Sequence, residues 1–242
     1  SADQFINDLQ RVLSTEGSFH YSGTLSLEKV ASIISHNFPV NEVNINTTNP
    51  NFKDGIFYSQ PKIFFYNDPK ATQSIVQAYI LGPIQKNNFD KNLSKLFNAY
   101  FGSGMNSLMF QEIREFRSLA YRANSSMENP PIMLDDKTMR FNMFLSTQSD
   151  KTIEAIHALE SLLTDMPLSA KRLNAAKESL ISQAQSAYPN FRQKTQRIAL
   201  YKKLGYEEDL NKLLVEDVSK MEMQDLESFY KDNIQGQTVV YI

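Results

Sequence analysis

Residues 101–121 read FGSGMNSLMFQEIREFRSLAY, and the rest of the chain is arranged around this stretch. It opens on Gly102-Ser103-Gly104, a glycine pair that permits close backbone approach and positive φ, so the spacing predicts a tight turn. Ser103 is the candidate N-cap of the element that follows. Met105, Leu108, Met109, Ile113 and Phe116 recur at helical spacing, and at about 100° per residue Arg114 projects from the opposite side. Beyond Arg117-Ser118 the period becomes two. Tyr121, Ala123, Ser125 and Met127 alternate with Arg122, Asn124 and Ser126, which predicts a strand. A long cation late in the helix and a phenol at the strand start would thus converge on one side of a helix-to-strand corner.

The same run resembles the second, non-catalytic homologous domain of the pitrilysin/insulinase family of zinc metallopeptidases. There a Gly-rich turn leads into a Ser-x-Leu-Phe-x-Glu-Ile-Arg-Glu-like helix and then a Leu-Ala/Gly-Tyr strand start. The family's substrate-binding Arg and Tyr lie seven residues apart, and the resemblance places them on Arg114 and Tyr121. Gly102, Ser103 and Gly104 would be the turn that supports the pair. Ser118 departs from the pattern, because the family usually has Gly there. The resemblance is sharp over residues 95–125 and runs by element order over most of the rest.

Outward from the focal run, amphipathic helices are expected over 3–14 and 26–38, the second capped by Ser26 with Leu27, Val30, Ile33, Ile34 and Phe38 as its stripe. Phe19–Gly23 is a short strand candidate, and residues 39–60 read as a loop. Strands are expected over 62–66 and 73–81, separated by the Asn67-Asp68-Pro69 turn. Apolar residues on both faces make 73–81 a central strand. A helix over 88–100 precedes the focal run, and a strand over 139–147 follows it. Helices then fill 150–166, 169–187, 191–204, 208–215 and 222–232, before a closing strand at 237–242. Strands mixed with helices, then helices, then a strand predict an α+β fold. The sheet is mixed, mostly antiparallel, and covered by helices on one face.

The remaining chemistry is notable for what it lacks. The 242 residues carry a net charge of −2 and no Cys, which excludes thiolate sites and gives no reason to expect a nucleic-acid partner. No apolar run approaches the ~20 residues of a membrane span. The three histidines, His20, His36 and His157, are not paired at the His-x-x-Glu-His spacing of a zinc peptidase. His20 and His36 read as surface or packed side chains, and His157, bordering the expected inward stripe of Ile153, Ile156, Leu159, Leu163 and Met166, as a packed one. No nucleophile elbow or phosphate loop is present. Asp135-Asp136 and Glu207-Glu208-Asp209 read as solvated runs. Glu112 falls inside an apolar stripe, which suits a partnered structural carboxylate better than an acid or base.

The expectation is therefore a domain with no catalytic residue and no metal ligand of its own. The resemblance implies that it holds an extended peptide substrate against a zinc site on a homologous partner domain, supplied in cis or in trans. It also leaves room for a homodimer. A helical stripe almost at residue 1 and a strand at the last residue suggest a segment of a longer polypeptide. Residues 1–17 would be a helix left over from a preceding region, and 18–242 a single non-catalytic domain truncated at its last strand. Two other readings stay open: a structural core-type or interaction domain with no peptidase role, and an unrelated α+β binding domain.

Overall fold

A computed structural model describes residues 2–13, 18–38, 55–84, 90–128 and 138–242. In chain order these form α1 (Ala2–Leu13), α2 (Leu27–Asn37), β1 (Lys62–Ile63), β2 (Gln73–Ile84) and α3 (Lys91–Phe97), which continues into a π-helix (Asn98–Gly102). A second π-helix (Met109–Glu115), β3 (Arg122–Glu128), β4 (Thr138–Gln148), α4 (Thr152–Thr164) and α5 (Ala170–Ser186) follow. The chain ends with α6 (Phe191–Lys203), α7 (Leu210–Lys220), α8 (Met223–Asn233) and β5 (Val240–Tyr241). The expected position of Phe89 and most of the 39–60 and 128–137 loops lie outside the described residues.

Two compact units divide the chain: Ser1–Lys53 with Tyr188–Glu207, and Asp54–Ala187 with Glu208–Ile242. In the first, Ser26 caps α2 by accepting from the Lys29 N–H, as its position before the apolar run predicts. The α2 stripe, however, has no buried member. Phe19–Gly23 is not a strand. Phe19 instead packs edge-on against Phe38 at 4.9 Å, and the Tyr21 hydroxyl accepts from the Leu25 N–H at 2.7 Å. An extended run with no sheet neighbour among the described residues has no ladder to join there.

The second unit holds a five-stranded sheet of order β1-β5-β2-β4-β3. Only the β1–β5 pair is parallel. β2 is central, as its two apolar faces predict. Alternation along β2, β4 and β3 is in register across the sheet: Val76 faces Leu145 and Ala123, Ala78 faces Met143 and Ser125, and Ile80 faces Phe141. All of these side chains are buried, and they form the face on which the helices lie. Phe97 stacks on Phe101 at 5.3 Å and meets Phe141 and Phe229. Burying each such ring contributes about 1.5–3 kcal/mol. The opposite face is polar at its β3 side, where Arg140 pairs with Glu128 at 3.1 Å and the Arg122 guanidinium lies 5.2 Å over the Phe144 ring. The fold is thus the expected α+β sheet with helices on one face.

In α4, Leu159 and Leu163 are buried as expected, whereas Ile153 and His157 are exposed, contrary to their expected places in and beside the inward stripe. The buried stripe is Ala155, Ala158, Leu159, Leu162 and Leu163, so the core-facing side is rotated toward the alanines, which allow close approach to the sheet.

The end of α4 is fixed by Tyr230 of α8, whose hydroxyl donates to the Leu163 carbonyl at 2.9 Å. Burial pushes this phenol up from its ordinary 10.0 to about 12, against a lowering contribution from the Met166 backbone. A folded pKa above the unfolded one contributes stability that is complete below the unfolded value and lost as pH rises through the folded one. The stability advantage of the wild type over Tyr230→Phe is therefore expected to shrink as pH rises from 10.0 to about 12. Chemical denaturation across that range checks it, and a constant gap would contradict it.

Candidate functional site at the helix-to-strand corner

The focal run folds in the expected order of turn, helix and strand start, with differences of local geometry. Gly102 is not in the open turn but is the buried last residue of the first π-helix. It lies directly against β3, where a Cβ would be driven into the Ser125 carbonyl and hydroxyl. Gly104, with φ +91 and open space around it, makes the turn itself. Because residues 103–106 are turn, the second helix starts later than expected. Ser103 is not its cap; its hydroxyl donates to the Asn98 carbonyl at 3.2 Å. Ser107 does that work, accepting from the Phe110 N–H at 3.3 Å and donating to the Gly104 carbonyl at 2.8 Å.

The helix that follows is π-wound, with Phe116 N–H bonded to the Gln111 carbonyl. Bonding at i→i+5 widens the turn and carries the buried face off the 3.6-residue phase. Leu108, Met109 and Ile113 are accordingly sealed in the core, while Met105 is 74% exposed and Phe116 is also outside. Arg114 emerges on the far side, as its phase predicts, with its side chain 41% exposed.

The helix ends at a second departure from regular geometry. Ser118 has φ 50 and is the one non-glycine with positive φ among the described residues. That conformation lets the Ser118 and Leu119 N–H groups return to the Arg114 and Ile113 carbonyls. It also gives a physical reason why glycine suits this position. Ser118→Gly is expected to stabilise the chain by about 0.5–1 kcal/mol, the left-handed strain less the entropy cost of glycine. Equilibrium denaturation tests this, and a loss of stability would contradict it.

Tyr121 is held from the β4 side. The Thr147 hydroxyl donates to the Leu119 carbonyl at 2.5 Å, and the Tyr121 N–H donates to the Ser146 carbonyl at 2.8 Å. The backbone is therefore already in the ladder, yet the ring is 73% exposed although its alternation with Ala123 and Ser125 would turn it inward. The Arg114 guanidinium lies 5.6 Å from the centroid of this ring and 4.7 Å from that of Phe110, with its Nε 3.5 Å from Glu115. Arg114 and Tyr121 thus meet at one accessible corner. The arrangement offers a guanidinium fork and a phenolic O–H, all donors, to an acceptor such as a carbonyl oxygen. Glu112 has the structural partner its position suggests, with Arg172 at 3.7 Å.

Along β3 the free edge is short. The Asn98 side chain takes both the Met127 N–H and C=O, at 2.6 and 3.1 Å, and Gly102 covers Ser125. This edge protection was not visible in the sequence, because an Asn twenty-nine residues away carries no local signal. No group of three His, Cys, Asp or Glu able to hold a metal occurs among the described residues. No helix among them is long and apolar enough to cross a membrane.

Residues 22–180 match the family model described as the peptidase M16 inactive domain, the family that includes pitrilysin and insulinase. Among solved structures, the chain is similar to a peptidase M16 inactive domain from Pseudomonas fluorescens, with 17% identity and a TM-score of 0.59 over 90% of this chain and 50% of that one. It is similar to a protease from Helicobacter pylori at 15% identity and TM-score 0.61, covering 91% and 53%. It is also similar to a chain of complex III2 from Candida albicans at 16% identity and TM-score 0.55, covering 90% and 52%. Likenesses at this level of identity show the fold. The chain spans about half the length of each of these three. No curated protein sequence matches it.

Proposed function

The chain belongs to the peptidase M16 inactive-domain family, and from that premise we propose that it is the substrate-binding, non-catalytic half of a zinc metallopeptidase. Its role is to hold an extended peptide against a zinc site carried by a homologous partner domain, in cis or in trans. The observation that carries this reading is the convergence of Arg114 and Tyr121 at one exposed corner. Neither side chain is sealed in the core, and the phenol is solvent-facing in a strand position whose alternation would bury it.

In this reading Arg114 and Tyr121 donate to a peptide carbonyl near the scissile bond. Charge-assisted donors are the stronger ones. Donors preorganised where negative charge develops contribute about 3–4 kcal/mol each. The covered edge of β3 leaves little backbone for strand addition on this domain beyond residue 124. The peptide is therefore held here mainly by side chains, and its backbone ladder belongs to the partner. The zinc belongs there too. His20, His36 and His157 supply no ligand set, so no step of the chemistry is assigned to a metal on this chain.

Purified, tag-free chain alone is expected to bind no stoichiometric zinc and to cleave no peptide, and to support cleavage once the zinc-bearing half is added. Metal analysis and a peptide-cleavage assay test this. One tightly bound zinc per chain, or cleavage by the chain alone, would overturn the division of labour.

A second reading is favoured by one observation. The chain of complex III2 that shares the fold comes from an assembly and not from a structure described as a peptidase. A structural or interaction domain would use the same architecture and would be indifferent to the loss of Arg114 or Tyr121.

A further inference from the structure

We propose that Arg172 is a positioning residue for Arg114: from the first turn of α5 it clamps the π-helix on which Arg114 rides. The functional consequence rests on the reading of Arg114 above; the structural claim does not.

A cation in the first turn of a helix sits against the positive end of the helix dipole. Arg172 occupies that position in α5, where its N–H is bonded by the Ser169 cap, so its location is not explained by the helix it belongs to. Its side chain, only 15% exposed, leaves α5 and reaches three groups of the focal region. Nε donates to the Asn106 carbonyl in the turn at 3.1 Å. An Nη lies 3.7 Å from Glu112 on the π-helix. The guanidinium lies 5.7 Å over the Tyr100 ring. Tyr100 in turn ties down the start of α5, since its hydroxyl donates to the Pro167 carbonyl at 2.7 Å and accepts from the Ser169 N–H at 2.8 Å. The circuit is closed: α5 holds Arg172, Arg172 holds the turn and the π-helix, and Tyr100 holds α5.

The π-helix needs such a clamp. π windings are rare and short, and the Ser107 cap at the start of this one reaches the Phe110 N–H at 3.3 Å. Its N-terminal side is an exposed turn hinged at Gly104. Glu112 and Arg114 share the element, so the pull on Glu112 fixes the rotational phase at which Arg114 leaves it. If the winding relaxes toward α, every later side chain swings round the axis. Tyr121 would stay in place, because its anchors are on β4. Loss of Arg172 therefore separates the pair by moving one member.

The test uses the full chain and reads the pair directly. The Tyr121 ring resonances are assigned by Tyr121→Phe, and their dependence on the overlying guanidinium is calibrated with Arg114→Ala. Arg172→Gln is expected to move the Tyr121 ring shifts toward the Arg114→Ala values, whereas Lys171→Gln leaves them unchanged. Glu112→Gln, which keeps the Asn106 and Tyr100 contacts, moves them the same way by less, and it serves should Arg172→Gln not fold. With the zinc-bearing half present, Arg172→Gln lowers kcat/KM by up to about 10²-fold, the cost of a ~1 Å misplacement. Tyr121 shifts unchanged in folded Arg172→Gln or Glu112→Gln would overturn the proposal. If instead Arg114→Ala leaves cleavage unaltered, the functional reading of Arg114 fails, whatever Arg172 does to the ring shifts.

Discussion

Arg114→Ala, measured with the zinc-bearing half supplied, is expected to lower turnover of extended peptides by about 10²–10³-fold, the cost of losing one preorganised donor at a developing oxyanion. Tyr121→Phe is expected to act in the same direction, since it removes only the O–H. Stability should hardly move. The contacts of Arg114 are rings and a carboxylate at a half-exposed corner, and exposed cation–π and ion-pair contacts contribute about 0.5–1 kcal/mol at most. Arg114→Lys should also be impaired, because an ammonium keeps the charge but not the planar fork. A purely structural domain would tolerate all three changes. Variants that melt several degrees lower while cleaving normally would mark the pair as architectural.

The largest expected effect on stability belongs to Gly102→Ala. The added methyl group meets the Ser125 carbonyl and hydroxyl, and neither can yield cheaply. The carbonyl is backbone in a strand whose other edge is bonded to β4 along its length. The hydroxyl is buried, with no hydrogen-bond partner among the described residues. Relief must come from displacing the first π-helix, which carries Tyr100 and Phe101 into the core. Overpacking of this kind costs about 1–3 kcal/mol and occasionally more, or a fall in Tm of roughly 2–4 °C per kcal/mol at this chain length. Gly104→Ala provides the control. Open space surrounds it, so it bears only the left-handed backbone penalty of about 1–2 kcal/mol. Thermal melts of the two variants decide the matter: Gly102→Ala as stable as wild type would refute the close-approach argument.

These two glycines show what the sequence could and could not convey. A Gly-x-Gly pair announces a turn, but not that one glycine is needed for φ and the other for its missing side chain. That distinction depends on Ser125 of β3, far downstream in the chain. The focal order of turn, helix and strand was legible because periodicity switches from helical to alternating within a few residues. The winding of the helix was not, because α and π segments share composition, and Phe116 does not join the stripe its spacing predicts; Met105 stays out because the turn runs on to residue 106. The outward phase of Arg114 survived that error, since Ile113 beside it is buried in either winding. The resemblance named Tyr121, but its outward turn depends on the irregular junction at Ser118–Ala120 and the Thr147 anchor. Arg172 and Asn98 act on the corner from distant segments through backbone carbonyls and a single ion pair, which leave no local pattern. Where one face of a strand was unambiguous, as along β3 and β4, the buried side followed from alternation alone.

The central claim, that Arg114 and Tyr121 act together on the bound peptide, is tested most directly by a double-mutant cycle on kcat/KM. Wild type, Arg114→Ala, Tyr121→Phe and the double variant are compared in the presence of the zinc-bearing half. Groups that share one acceptor are non-additive, so each single change is predicted to lower kcat/KM by about 10²-fold or more, and the double variant to fall well short of the product of the two losses. Wild-type kcat/KM in all three variants would contradict the account.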